Sequence, residues 1–292
     1  MTSPDPALLT TKELADLLRI KERKGYDLAS NGEVPCVRVV GKLLFPKDQI
    51  DAWIASTRSG PDALAPPPPI AVGSHDPLLD WALRNAGCGI AALFDGSLDG
   101  LSRFAAAEAL ICSLHVHEPA GWNTATVAEK LGGRPVVLIE FAWRLRGLIV
   151  AAGIPLVVLS IADVVRCRVA RRQSQAASHI LFEHLLVEAG IDSAELASPE
   201  EPERTEDDLA QAVLEGKADV AFGLAAAAHA HRLDFVPLLE ERLDLLMWRR
   251  TYFEPPCQTL LGFLSSERFC DRAAEMPGYD ISRAGTVHLN GA

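Results

Sequence analysis

Leu93-Phe94-Asp95-Gly96-Ser97-Leu98-Asp99-Gly100-Leu101-Ser102-Arg103-Phe104 follows an apolar run that begins at Ile90 and leads into a pattern in which Leu98, Leu101, Ala105 and Ala109 share one helical face. It reads as a strand, a tight loop and a helix start. Free N–H groups and the dipole at a helix start form a cradle for an anion or a polar group. Ser97 and Asp95 are the candidate ligand contacts here.

Outward from this segment, apolar runs at Gly89–Phe94, Leu110–Val116, Val136–Phe141, Ala218–Phe222 and Asp234–Leu238 alternate with amphipathic helical patterns. That alternation predicts an α/β fold with mainly parallel strands, in which ligands bind beyond the strand ends. Three further loops have the right character. They are His115-Val116-His117-Glu118-Pro119 with Trp122-Asn123-Thr124, Arg171 through His179 ahead of a helix at Ile180–Ala189, and Gly216 through Gly223.

The bulk properties limit the function classes. The 292 residues are 49% hydrophobic and 23% charged, enough for two or three compact units with a sizeable core. Six cysteines are scattered without a C-x-x-C pair, so a zinc ribbon is not expected and reduced thiols are. The N-terminus has no basic-then-apolar signal pattern. The apolar stretch Val136 to Ile161 is interrupted by Glu140, Arg144 and Arg146, so no membrane span is expected and a cytoplasmic location is. The net charge of −11 is uneven: residues 1–58 carry nine basic against eight acidic side chains, a net +1, leaving −12 for the rest.

The basic end has its own pattern. Thr10-Thr11-Lys12-Glu13 is a capping box opening a helix with Leu14, Leu17 and Leu18 inward. A second helix spans about Lys21 to Ser30, with Tyr26, Leu28 and Ala29 inward and Asn31-Gly32 ending it. Val37–Val40 and Leu43–Phe45 flank Gly41-Lys42 as a hairpin, and a third helix begins at Pro46 and presents Ile50, Trp53 and Ile54. Two helices, a hairpin and a helix make a winged helix-turn-helix. Gly25 within the second helix costs about 1 kcal/mol relative to Ala. Ser59 to Pro69 is proline-rich and aperiodic, a semi-stiff spacer.

The run Leu9 to Leu18, with Tyr26, Gly32-Glu33-Val34-Pro35, Arg38-Val39-x-Gly41-Lys42 and Phe45-Pro46-x-x-x-Ile50-x-x-Trp53, resembles the excisionase/MerR-type DNA-binding domains. The resemblance implies that Lys21, Arg23 and Lys24 lie at the start of a recognition helix and Arg38 and Lys42 on the wing, mostly as phosphate contacts. The remainder is similar to the periplasmic-binding-protein-like domains of bacterial regulators that sense small ligands, which are related to molybdate- and tungstate-binding proteins. Gly96-Ser97-Leu98-Asp99-Gly100-Leu101 matches that family's cradle, and Leu233 to Leu238, Glu241-Arg242-x-Asp244-Leu245 and Gly278-Tyr279-Asp280 match its closing segment. Its Arg-Gln-x-Gly-Ser-Gly-Thr-Arg loop is altered: Arg172 and Gln173 are kept, while Gln175, Ala176, Ala177, Ser178 and His179 replace the rest. Losing two glycines and a cation weakens an oxyanion seat on that side.

The expected organisation is a winged helix-turn-helix at 1–58, a linker at 59–75 and a two-lobed periplasmic-binding-protein-like α/β domain at 76–292, its second lobe at roughly 165–240. The expected ligand contacts are Asp95, Ser97, His115, Trp122, Asn123, Arg172, Gln173 and Ser178. His115-x-His117 with Glu118 offers zinc-ligand chemistry, but a polar loop lining the cleft is the reading adopted, and no metal is expected. His229-x-His231 falls within a helix, where i and i+2 diverge. Ser97, His115 and Asp95 lack a G-x-S-x-G elbow, so no catalytic residue is assigned. The whole chain reads as a one-component DNA-binding regulator, a dimer or tetramer, that senses a small effector and needs no cofactor. Molybdate or tungstate is the effector the resemblance implies. The alternatives are a cofactor-metabolism enzyme on a binding-protein-like fold and an excisionase-like architectural protein.

Overall fold

A computed structural model describes residues 8–56, 66–153 and 158–291. The chain divides into Met1–Pro66 and Pro67–Ala292, each treated by itself below.

The first unit contains β1 (Leu8–Thr10), α1 (Thr11–Leu18), α2 (Glu22–Ser30), β2 (Val37–Val39), β3 (Lys42–Pro46) and α3 (Lys47–Ser56). The capping box forms as expected. Thr10 Oγ1 accepts from Glu13 N at 3.3 Å, and the Glu13 carboxylate accepts from Thr10 N at 2.7 Å. Strands β2 and β3 are the hairpin, closed by Val40 and Gly41 at φ +48° and +78°, the left-handed pair that a two-residue turn requires. Strand β1 was not anticipated. It pairs with β3, giving the order β1-β3-β2.

Leu9, Leu14, Val34, Phe45 and Ile50 form the core of this unit. Leu17 and Tyr26 are exposed, contrary to the inward positions the helical pattern gave them. Gly25 faces α1: a Cβ there would lie 3.3 Å from Thr11 Cγ2. It is therefore the contact point of two helices and does not face outward.

The second unit begins with β4 (Ile70–Gly73), α4 (Pro77–Asn85), β5 (Ala91–Leu93), α5 (Ser97–Ala105) and β6 (Ile111–Leu114). The linker drawn over 59–75 thus ends earlier, because β4 is a sheet strand. Of that linker, Ser59 to Ala65 lie outside the described residues. A small hairpin, β7 (His117–Glu118) and β8 (Gly121–Trp122), precedes α6 (Thr124–Leu131) and the fifteen-residue β9 (Val136–Val150). Then come β10 (Val169–Ala170), α7 (Ala177–Glu188), α8 (Glu206–Leu214), β11 (Val220–Leu224), α9 (Ala225–Ala230) and a second fifteen-residue strand, β12 (Asp234–Trp248). The chain closes with α10 (Arg249–Tyr252), α11 (Pro255–Leu264), α12 (Glu267–Ala274), β13 (Tyr279–Asp280) and β14 (Val287–Asn290).

The sheet order is β10-β11-β9-β12-β6-β4-β5. The expectation of mainly parallel strands fails at its centre. β4 pairs in parallel with β5 and β6, and β10 with β11, but β9 and β12 run antiparallel to each other and to β11 and β6. The apolar pattern ends these two strands at Phe141 and Leu238, short of their observed length. Their far halves carry charges, which broke the apolar runs. Together they pass through both lobes and form the only long ladder that joins them among the described residues.

The opening segment folds as strand, loop and helix. Ser97, Gly100, Leu101 and Phe104 make the buried face of α5, and Ala109 lies beyond its end. A Cβ at Gly100 would sit 2.2 Å from Gly73 Cα, so this glycine lets α5 lie directly on β4.

Candidate functional site

The middle of the long ladder places charge on fully buried side chains. Arg144 and Arg146 project from the same side of β9, two residues apart, and Glu241 stands opposite Arg144 on β12. All three side chains are 0–1% exposed. Glu241 pairs with Arg144, with Arg146 at 2.8 Å and with His115 Nδ1 at 2.9 Å. Arg144 also reaches Asp76, the N-cap of α4, at 2.8 Å. Arg146 reaches Glu206 at 2.9 Å, and Glu206 also receives Arg172 at 3.2 Å. The chain of contacts runs from the first lobe (Asp76, His115) through the two strands to the second lobe (Glu206, Arg172).

Three arginines and three carboxylates neutralise one another in this network. Burial opposes ionisation of Glu241, but Arg144, Arg146 and His115 outweigh it and hold the carboxyl well below the usual range. Glu206 is lowered in the same way, against its burial, by Arg146 and Arg172. Burial pushes the His115 imidazole down, more than Glu241 raises it, so His115 is neutral near pH 7 and donates from Nδ1 to the carboxylate.

The lobes also meet at the loop of the opening segment. Leu98 N donates to the Gln175 carbonyl at 3.5 Å, and a Cβ at Gly96 would lie 2.7 Å from that oxygen. Gln173 Nε2 donates to the Asp95 carbonyl at 3.2 Å, and Arg204 pairs with the Asp95 carboxylate at 3.1 Å. The helix N-terminus that reads as an anion cradle thus receives a carbonyl of the same chain, from the altered loop of the other lobe. Ser97 Oγ meets Ser74 Oγ at 2.8 Å.

Of the eight ligand candidates, the structure brings together Asp95, Ser97 and Gln173, and joins Arg172 to them through Gln173 Oε1 at 3.2 Å. Arg172 is committed elsewhere too, its Nη2 donating to the Arg204 carbonyl at 2.6 Å. Ser178 Oγ is buried near the start of α7 with no hydrogen-bond partner among the described residues. His115 belongs to the Glu241 network. Asn123 is saturated by structure, accepting from Val116 N and donating to the Leu114 carbonyl and Asp244. Trp122 packs in the apolar cluster of the second lobe.

Ser97, His115 and Asp95 each have a different partner, so they form no relay. Glu118 accepts from Ala125 N and Thr126 N at the start of α6. Among the described residues no group of three or more His, Cys, Asp or Glu side chains could hold a metal.

Ser74, Asp76, Arg144, Arg146, Glu206 and Glu241 are not among the site residues expected from sequence. A signal is present in the sequence: two arginines two positions apart inside an apolar run is the alternation of a strand with one charged side. A cavity of about 350 Å³ is lined by His75, Asp80, Asp207, Ala226, His229 and Arg272, none of them a member of this network. No ligand candidate lines it.

In the first unit, Lys21, Arg23, Lys24, Arg38 and Lys42 are all exposed. Their side chains make no hydrogen bond or ion pair among the described residues. Also among the described residues, no helix is long and apolar enough to cross a membrane.

Residues 80–265 match the family described as the PBP superfamily domain, and residues 8–58 match a helix-turn-helix domain. YvgK, an uncharacterized protein of Bacillus subtilis strain 168, is 25% identical over 96% of this chain and 97% of its own. A substrate-binding protein assigned to phosphate ABC transport in Clostridium perfringens, solved with bound phosphate, covers 70% of this chain and 96% of its own at 11% identity and a TM-score of 0.54. A cysteine variant of Corynebacterium glutamicum OxyR with hydrogen peroxide bound covers 91% and 90% at 12% identity and a TM-score of 0.50. At such identities the structural likeness is one of fold.

Proposed function

The chain belongs to the PBP superfamily over residues 80–265, and from that premise we propose that it is a one-component transcriptional regulator whose first unit binds double-stranded DNA and whose two lobes sense a small molecule. The observation that carries the DNA half is the set of five exposed cations, unpaired among the described residues, at the start of α2 and on its flanking hairpin, in a chain otherwise strongly acidic. The winged, excisionase/MerR-type reading gives α2 the major groove and the hairpin the backbone. One short recognition helix reads few bases, so a homodimer or tetramer on a repeated site is part of the proposal, as is action in the cytoplasm.

The ligand half rests on the lobe junction. Molybdate or tungstate is the first effector proposed, with Ser97, Ser178 and backbone N–H groups of α5 as contacts and no other cofactor. An oxyanion reaching α5 must displace the Gln175 carbonyl, so its binding is coupled to separation of the lobes. The buried arginines are already neutralised, which favours a small polar organic molecule as the second candidate, seated in the 350 Å³ cavity.

Fluorescence anisotropy with the full chain and its upstream DNA, over a salt series, tests the DNA half. Four to five phosphate contacts per protomer give a log–log salt slope of about −4 for each protomer bound, and about −8 for a dimer. Affinity should then shift on adding molybdate, tungstate or phosphate, the last because the Clostridium perfringens neighbour holds it. Absence of salt-dependent binding would overturn the regulator. Binding indifferent to all three anions and to small organic acids would instead favour an architectural role.

A further inference from the structure

We infer that Arg23 and Asp27 on α2 read bases directly, Arg23 a guanine and Asp27 a cytosine, within about two base steps of each other. The inference rests on the reading of the first unit as DNA-binding.

Gly25 fixes the orientation of the helix. Its missing side chain faces Thr11 and Leu14 of α1, so the surface of α2 opposite Gly25 is turned away from the unit. At about 100° per residue, Arg23, Asp27 and Ser30 lie roughly 140–200° around the helix from Gly25. All three are exposed, and none has a side-chain hydrogen bond or ion pair among the described residues. Arg23 and Asp27 are spaced i, i+4, where an ion pair is within reach, yet their charged ends are not joined. Both are therefore available to an outside partner.

The chemistry then separates this pair from the other cations. Lys21, Lys24, Arg38 and Lys42 can serve as phosphate contacts, which carry no sequence information. A carboxylate cannot: near phosphates Asp27 is repelled. In the major groove it accepts well from the cytosine N4 amino group, while guanine O6 and N7 and thymine O4 repel it, and at adenine the N7 acceptor beside the N6 amino group does the same. Arg23 presents a fork that fits guanine O6 and N7. Four residues of helix advance about 6 Å, and base pairs stack roughly every 3.4 Å, so the two contacts fall on base pairs about two steps apart.

The test is selection of duplexes from a random pool by the full chain, as wild type, R23A, D27N and K42A, with thermal melting to confirm that each variant is folded. The wild type should enrich a motif with two G·C positions about two steps apart in each half-site. D27N should lose its preference at one of these positions and R23A at the other, by roughly 5- to 150-fold. K42A should bind more weakly with an unchanged motif. If R23A and D27N keep the wild-type motif, base reading by this pair is wrong while DNA binding stands. If the wild type enriches nothing, both fall.

Discussion

Glu241 answers three basic groups at once, Arg144, Arg146 and His115, all of them buried. Removing one partner of such a network leaves uncompensated charge out of water, which costs about 3–5 kcal/mol. E241Q should therefore lower the urea-unfolding free energy by about that much, and a loss under about 1 kcal/mol would show that the network is solvated. The same residues set the acid response. His115, Glu206 and Glu241 all have folded pKa values below their unfolded ones. Each contributes stability above its unfolded pKa that is lost as pH falls towards its folded value. The decline should begin near pH 6.5 with His115 and steepen below about pH 4.3 with the two glutamates. Asp244, raised mainly by burial, runs the other way. Denaturation free energies at pH 7.5, 5.5 and 4 should fall in that order, and E241Q should flatten the lower step.

At the scale of elements, the two glycines of the opening segment do different work. Gly100 seats α5 on β4, where a methyl group would meet backbone at 2.2 Å. G100A should therefore destabilise the second unit by roughly 1–3 kcal/mol in denaturant. A gain in stability, as ordinary helix propensity would give, would contradict that packing. The segment, the capping box and the hairpin were legible in sequence because each is a local pattern. The long strands were cut short because buried charge mimics a loop when its partners lie far away in sequence. Arg144 pairs with residues 68 and 97 positions distant. Strand β1 was missed for a related reason: three residues carry no readable period, and only β3 makes them a strand.

Across the molecule, the Gln175 carbonyl on α5 and the contacts of Asp95 hold the two lobes of the second unit together. The Asp95–Arg204 pair is exposed and contributes little by itself. The backbone contact at Gly96 matters more, because φ there is +114° and Gln175 O leaves no room for a Cβ. G96A in the full chain should speed hydrogen exchange in residues 94–98 and 172–178, while β4 and β6 keep their protection. Unchanged exchange in both loops would mean that the lobes are held by the β9–β12 ladder and the Glu241 network without this contact.

By itself the sequence determined the two-part organisation, the winged helix-turn-helix, the α/β class and the strand–loop–helix at Gly96-Ser97, since capping, turns and periodicity act between near neighbours. Tertiary structure alone decided what those groups face. It turned Gly25 towards α1 and Asp27 outward, buried Arg144 and Arg146 against carboxylates from both lobes, and set a carbonyl of Gln175 on the helix start that reads as an anion cradle. Partners separated by tens of residues leave no period in the chain, so whether a cation or an N–H group is free for a ligand becomes visible only when the fold closes.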